Sequence, residues 1–143
     1  MLRSAVQTDS SQIHDLIHLV GINPMGLDWK RFVVVVNEKD EVIACGQIKP
    51  HGDEVYELAS IAVKPEYRGQ GLARKVIEAL LGESPRPLYL MCRSSMGTLY
   101  EKFGFRSLSY EWMPRYFQRI SKLAGLADAL MQSGDGLLVM KLE

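Results

Sequence analysis

The stretch Val63-Lys-Pro-Glu-Tyr-Arg-Gly-Gln-Gly-Leu-Ala73 leaves the chain few options. An apolar, β-branched run, Leu58–Val63, stops short of Pro65, and a helical pattern begins at Leu72, so a strand must pass into a helix through a turn carrying Gly69 and Gly71. Glycine supplies backbone conformations closed to other residues and lets another molecule approach the main chain. The helix that follows opens with N–H groups that have no intrahelical acceptor. Together these parts make a cradle for an anion, and Arg68 sets a fixed positive charge at its edge. A glycine turn without a ligand has the same local signature, so the reading needs support from the rest of the chain.

Upstream, Leu2–Val6 is predicted as an edge strand and Thr8-Asp-Ser-Ser as the capped start of a helix with the stripe Ile13, Leu16, Ile17 and Val20. His14 and His18 lie four apart on it with no acidic or sulfur ligand beside them, and they read as surface or stripe-edge residues. Gly21–Trp29, with two glycines and a proline, is irregular; its Ile22, Met25, Leu27 and Trp29 patch the core or line a cleft. Arg31–Val36 and Val42–Ile48 pair as a hairpin about Asn37–Glu41, and Val55–Val63 joins them after a turn at His51–Glu54.

Downstream, Leu72, Val76, Ile77, Leu80 and Leu81 mark a helix that Gly82 stops. The apolar run Leu88–Cys92 is a strand, and the helical crossover before it favours parallel pairing with Val55–Val63. Ser94 and Ser95 cap a helix with Met96, Leu99, Tyr100 and Phe103 on one stripe, ended by Gly104. Ser107–Met113 is predicted as a strand. Pro114–Met131 follows as a helix with Phe117, Ile120, Leu123, Ala124, Ala127 and Leu130, then Gln132–Gly136 as a turn and Leu137–Leu142 as the last strand.

At 143 residues the chain has the size of one domain, 1–143. Lys+Arg and Asp+Glu both number 17, so no basic excess points to nucleic acid or an anionic membrane. No apolar run approaches the roughly 20 residues of a membrane helix, and the first residues lack the pattern of a secretory signal, so the cytoplasm is the expected compartment. Cys45 and Cys92 lie in apolar runs without metal-ligand spacing and are predicted to be buried free thiols.

The order of elements, with Arg68-Gly69-Gln70-Gly71-Leu72-Ala73 in its midst, resembles the GCN5-related N-acetyltransferase (GNAT) family. That family's signature is Gln or Arg, two residues, Gly, one residue, then Gly or Ala, and the hexapeptide fits it without a gap. Ala62–Tyr67 resembles the family's lead-in, and Leu99-Tyr-Glu-Lys-Phe-Gly-Phe105 its tyrosine-bearing helix. The likeness covers residues 1–113; the helix Pro114–Met131 departs from the usual shorter connection. A dinucleotide fingerprint would need glycine where Arg74 stands, and a Walker loop would need Gly-Lys-Ser/Thr.

The resemblance implies an α/β (α+β) fold: a mixed, mostly antiparallel sheet of about six to seven strands flanked by helices, splayed between the fourth and fifth strands. It implies that Arg68, Gly69, Gln70, Gly71, Leu72 and Ala73 hold the pyrophosphate of acetyl-coenzyme A, with the pantetheine arm along Ile61, Ala62 and Val63. An amine would attack the thioester directly in a ternary complex, without a metal, with coenzyme A thiol as leaving group. Tyr100 would protonate the departing sulfur, and Glu57 is the candidate base, provided that strict alternation sets it on the face of Ile61. Glu57 could equally be a solvent-facing strand residue, a water relay could replace it, and Cys92 lacks an activating neighbour. Tyr110, Trp112, Tyr116 and Phe117 line an acceptor pocket or pack. The acceptor is open between small molecules and protein amines, and a homodimer is also open. A second reading is a non-catalytic acyl-coenzyme A-binding or protein-interaction module, with Arg115, Arg119 and Lys122 as the basic edge of the late helix.

Overall fold

Four consecutive valines, Val33–Val36, are stiff at χ1 and suit a pleated strand better than a helix, and they form the centre of three paired strands. The computed structural model describes residues 1–131 and 136–143. The turn expected at Gln132–Gly136 lies, apart from Gly136, outside the described residues, as do the side chains of Ala127 and Leu130. The chain divides into two compact units, residues 1–49 with 58–84, and residues 50–57 with 85–143.

In the first unit, β1 (Leu2–Ser4) pairs antiparallel with β2 (Phe32–Val36), and β2 antiparallel with β3 (Val42–Pro50). β1 ends two residues earlier than predicted because Asp9 captures the chain. Its carboxylate accepts the Val6 N–H at 2.8 Å and two Arg3 bonds at 2.7 and 3.1 Å, turning the backbone into a short 3₁₀ segment ahead of α1 (Ser10–Val20). The Arg3 hydrogen bond holds the Asp9 carboxyl below the usual carboxylate range although burial opposes it. α1 buries Ile13, Leu16 and Ile17 against Phe32, Val34, Val36 and Cys45, while His14 and His18 are exposed. Ile22, Leu27 and Trp29 from the irregular segment pack on the same cluster, whereas Met25 is exposed.

β4 (Tyr56–Val63) lies next to β3 in the sheet, and α2 (Leu72–Glu83) follows the glycine turn. A Cβ at Gly46 would stand 2.6 Å from both Ile61 and Val76, so only glycine lets α2 settle onto β3 there. Cys45 and Gly46 are neighbours, so α1 and α2 cover opposite faces of β3. α2 runs through Gly82 and stops at Glu83 with Ser84 as its cap, one residue beyond the predicted stop.

In the second unit, β5 (Leu88–Arg93) pairs parallel with the start of β4, Tyr56↔Leu88 and Glu57↔Tyr89, and antiparallel with β7 (Leu137–Leu142) along its length. The short α3 (Gly97–Glu101) sets Gly97 over Leu138, and α4 (Arg115–Met131) buries Phe117 with Tyr89 and Val139. The strand predicted over Ser107–Met113 shrinks to β6 (Arg106–Ser107), paired with β7. Beyond it, hydrogen bonds from Trp112 to Ser109 and from Met113 to Tyr110 wind a 3₁₀ turn that leaves Trp112 76% exposed. The strand order is β1-β2-β3-β4-β5-β7-β6, a mixed and mostly antiparallel sheet with helices, as predicted.

Candidate active site

The glycine turn belongs to the first unit. Pro65–Tyr67 forms a 3₁₀ turn, Arg68 is extended, and Gly69 and Gly71 take φ of 80° and 76°, the left-handed region that an L side chain enters only at a cost. Gly71 is the N-cap of α2 and offers no side-chain cap, and Lys75 N–H makes the bond to the Gly71 carbonyl at 3.1 Å. The N–H groups of Leu72, Ala73 and Arg74 are thereby left without intrahelical acceptors. An added Cβ at Gly69 or Gly71 would meet nothing within 4 Å, so both glycines are demanded by conformation rather than crowding. Arg68, Gly69, Gln70 and Gly71 are exposed, Leu72 is buried, and Ala73 is half-buried. Asn37 fastens the turn by donating to the Tyr67 hydroxyl at 3.2 Å. Such a turn presents main-chain donors and the positive end of a helix to an anion.

Ile61, Ala62 and Val63 complete β4 just before this turn. One residue earlier, Ser60 has φ 59°, an unusual conformation for a non-glycine residue inside a strand. Through such a residue side chains no longer alternate regularly, and the inference that set Glu57 on the face of Ile61 loses its basis.

Glu57 belongs to the second unit and is 4% exposed, so it is not a solvent-facing strand residue. His51 Nε2 lies 2.7 Å from its Oε1, a hydrogen bond in which an ionised carboxylate can only accept. With the carboxylate as acceptor the imidazole proton is fixed on Nε2, which leaves Nδ1 as the basic nitrogen. Tyr116 stacks on the His51 ring at 3.7 Å between centroids, and Phe117 meets it edge-on at 5.9 Å. Burial and then the Glu57 charge push the Tyr116 phenol up. Sequence reasoning missed His51 because it sits in a turn; its spacing of six from a strand glutamate carries no motif. Tyr116 and Phe117 thus join the Glu57 group, whereas Tyr110 and Trp112 are exposed.

Tyr100, on α3, meets Phe105 edge-on at 6.3 Å, and Phe105 is fully buried. Burial, reinforced by Cys92, pushes the Tyr100 phenol up to about 12. The group stays protonated through neutral pH and so has an O–H to donate. Cys92 and Cys45 are both free thiols. Cys45 is fully buried and pushed up to about 12 by desolvation, whereas Cys92 is half-buried, with Met140 Sδ at 4.0 Å. Among the described residues no His, Cys, Asp and Glu side chains gather into a metal-binding group, and no helix is long and apolar enough to cross a membrane.

The acetyltransferase (GNAT) domain family matches residues 28–107, which include the turn, Glu57 and Tyr100. No curated protein matches the sequence. Among solved structures, N-acetylglutamate synthase from Neisseria gonorrhoeae, complexed with coenzyme A and N-acetyl-glutamate, superposes with TM-score 0.74 at 17% identity, over 100% of this chain and 35% of that one. The chain thus spans about a third of the synthase's length. Rv2747 from Mycobacterium tuberculosis, in complex with coenzyme A, gives TM-score 0.70 at 17% identity, covering 97% of both chains. ElaA from Escherichia coli gives 0.69 at 16% identity over 100% of this chain and 99% of that one.

Proposed function

Because the chain belongs to the GNAT acetyltransferase family, we propose that residues 1–143 act as one acyltransferase domain, moving an acetyl group from acetyl-coenzyme A to an amine. The observation that carries this reading is the turn Arg68–Ala73, whose two left-handed glycines feed an uncapped helix start beside an arginine. In this proposal the main-chain N–H groups from Gly69 to Ala73 bind the pyrophosphate and Arg68 adds charge. Ile61–Val63 take the pantetheine arm. That coenzyme A is bound in the Neisseria and Mycobacterium structures of like fold supports the choice of cosubstrate.

The amine must shed a proton to attack, since a lysine-type amine, pKa about 10.4, is mostly protonated at neutral pH. His51 Nδ1 takes that proton in the proposed mechanism, and Glu57, bonded to Nε2, orients the ring and stabilises the imidazolium. The nitrogen attacks the thioester carbonyl, the tetrahedral oxyanion collapses and the carbon–sulfur bond breaks; the remaining ammonium proton passes from the nitrogen through solvent to the departing thiolate, so that neutral amide and coenzyme A thiol are released. Tyr100 donates to the sulfur as it leaves. A phenol near 12 is a far weaker acid than a thiol of about 8.5, so its role is a hydrogen bond to the developing thiolate rather than complete proton transfer.

Titration calorimetry with coenzyme A, followed by thiol release from acetyl-coenzyme A in the presence of amine panels, tests the proposal. Micromolar binding and amine-dependent thiol release are expected. Absence of both refutes it, and binding without turnover returns the chain to a non-catalytic acyl-coenzyme A module.

A further inference from the structure

We propose that Gln47 and Lys49 form the acceptor subsite, and that the acceptor is a small amine bearing a carboxylate, an amino acid by chemical class. The inference rests on the acetyl-transfer reading above and names the substrate of that site. All of its residues lie in the first unit. β3 turns Cys45, Gln47 and Lys49 to one face, and the first of these belongs to an apolar cluster with Phe32 and Leu27. Gln47 is nevertheless 0% exposed and Lys49 6%. A strand position facing such a cluster ordinarily holds valine or isoleucine, so two consecutive inward polar residues call for a reason.

Among the described residues neither side chain finds a partner for every polar group it carries. The Lys49 ammonium has three N–H donors and gives one to the Met25 carbonyl at 2.8 Å. Among the described residues that carbonyl is its one hydrogen-bond partner, and no carboxylate of the first unit lies within ion-pair distance of it. A buried cation without a counter-ion is strongly disfavoured unless an anion completes it. Gln47 Nε2 divides itself between the Gly26 carbonyl at 3.1 Å and Ser60 Oγ at 2.8 Å, while its buried Oε1 has no partner among the described residues. The two side chains therefore offer spare N–H donors carrying positive charge and, beside them, a spare acceptor. An amino acid is the complement of that set: its carboxylate meets Lys49, and an N–H of its amine meets Gln47 Oε1.

The location fits the role. The two residues hold consecutive carbonyls, Met25 and Gly26, of the segment between α1 and β2. A Cβ on Gly26 would stand 3.3 Å from Lys49 Cε and 3.5 Å from Nζ, so the lysine's end lies against bare main chain. On its other side, Gln47 grips Ser60, the left-handed residue that directly precedes Ile61–Val63, the segment proposed to take pantetheine. An amine held by Gln47 is thus delivered beside the arm that carries the acetyl group.

The experiment compares amino acids with their α-amides, and aspartate and glutamate with asparagine and glutamine, as acceptors for the wild-type chain, Lys49→Met and Lys49→Arg. Replacing a buried ammonium by an isostere of similar volume preserves folding, which thermal unfolding checks. Wild type is expected to favour the carboxylate over the matching amide by about 10- to 100-fold in kcat/KM, the worth of one charge-assisted hydrogen bond. Lys49→Met should erase that preference through the acceptor KM without altering the KM of acetyl-coenzyme A, and Lys49→Arg should restore part of it. Equal use of acids and amides, an unchanged preference in Lys49→Met, or the lack of any carboxylate-bearing acceptor overturns the subsite. If coenzyme A itself fails to bind, the transferase reading falls separately. The subsite is then decided by whether amino acids raise the unfolding temperature of the wild type but not of Lys49→Met.

Discussion

Replacing Gly71 by alanine isolates the demand that the cradle makes on the backbone. Gly71 sits at φ 76° and ψ 19°, and an added Cβ meets no protein atom within 4 Å, so the substitution introduces no clash in the unliganded protein. What remains is the intrinsic cost of a left-handed L-residue, about 1–2 kcal/mol. If the turn keeps its shape, that cost appears as lost stability, a fall of roughly 3–8 °C in Tm for a chain of this size. If the turn relaxes, stability is spared and coenzyme A binding suffers, by about 5- to 30-fold. Linkage ties the two, so the stability loss and the affinity loss, expressed as free energies, should together reach about 1–2 kcal/mol. Asparagine enters the left-handed region more readily, so Gly71→Asn should lose less than Gly71→Ala despite its larger side chain. Chemical denaturation and coenzyme A calorimetry on the three proteins measure both quantities. Unchanged stability and unchanged affinity in Gly71→Ala would refute the conformational account. A greater loss in Gly71→Asn than in Gly71→Ala would show instead that bulk against the bound ligand governs the site.

Tyr100→Phe should lower kcat about 10²-fold with the acetyl-coenzyme A KM unchanged, as steady-state kinetics can read. Its phenol, raised in the fold to about 12, also contributes stability that is complete below pH about 10 and is lost as pH rises towards 12, which denaturation in alkali would register. His51→Ala should reduce kcat and regain activity with added imidazole, whereas Glu57→Gln should reduce kcat without such rescue; failure of imidazole to act removes His51 from the proton path. The Asp9 carboxyl is held low by Arg3, so its stabilisation is present above pH about 4 and lost as pH falls through the folded value, and Asp9→Asn should cost about 1.5–3 kcal/mol at neutral pH. Gly46→Ala forces a methyl to within 2.6 Å of Ile61 and Val76 and should destabilise by about 1–3 kcal/mol in thermal unfolding.

What the sequence made legible depends on how local each cause is. Gly69 and Gly71 announce left-handed backbone because no other residue enters it so cheaply, and the apolar periods of α1 and α2 announce their buried faces within a few residues. β7 was legible residue for residue, since its run is apolar from Leu137 to Leu142 save for Lys141. The strand predicted across Ser107–Met113 failed for the opposite reason: its aromatic residues suggest burial, yet Trp112 stands exposed because β6 leaves β7 after Ser107. The end of β1 was decided by Asp9, a side chain outside the strand, which no strand propensity encodes.

The chemistry separates along the same line. The cradle proposed for the donor is a property of consecutive backbone torsions, so a hexapeptide suffices to declare it. The groups proposed for the proton and the acceptor are made by contacts between residues distant in sequence: Tyr116 stacks on His51, and Lys49 and Gln47 close on Met25 and Gly26. Each of these side chains looks ordinary in isolation, and a lysine near the end of a strand reads as a solvated charge until its burial is known. Its spare donors and the amide oxygen of Gln47, unpartnered among the described residues, become visible only when every buried polar atom is matched with a partner. On the proposed reading, the motif identifies the acetyl donor in chains with this turn, and the polar atoms on the inward face of β3 carry the information about the acceptor. Chains that share Arg68–Ala73 but place apolar residues at 47 and 49 should therefore bind the same cosubstrate and decline amino acids.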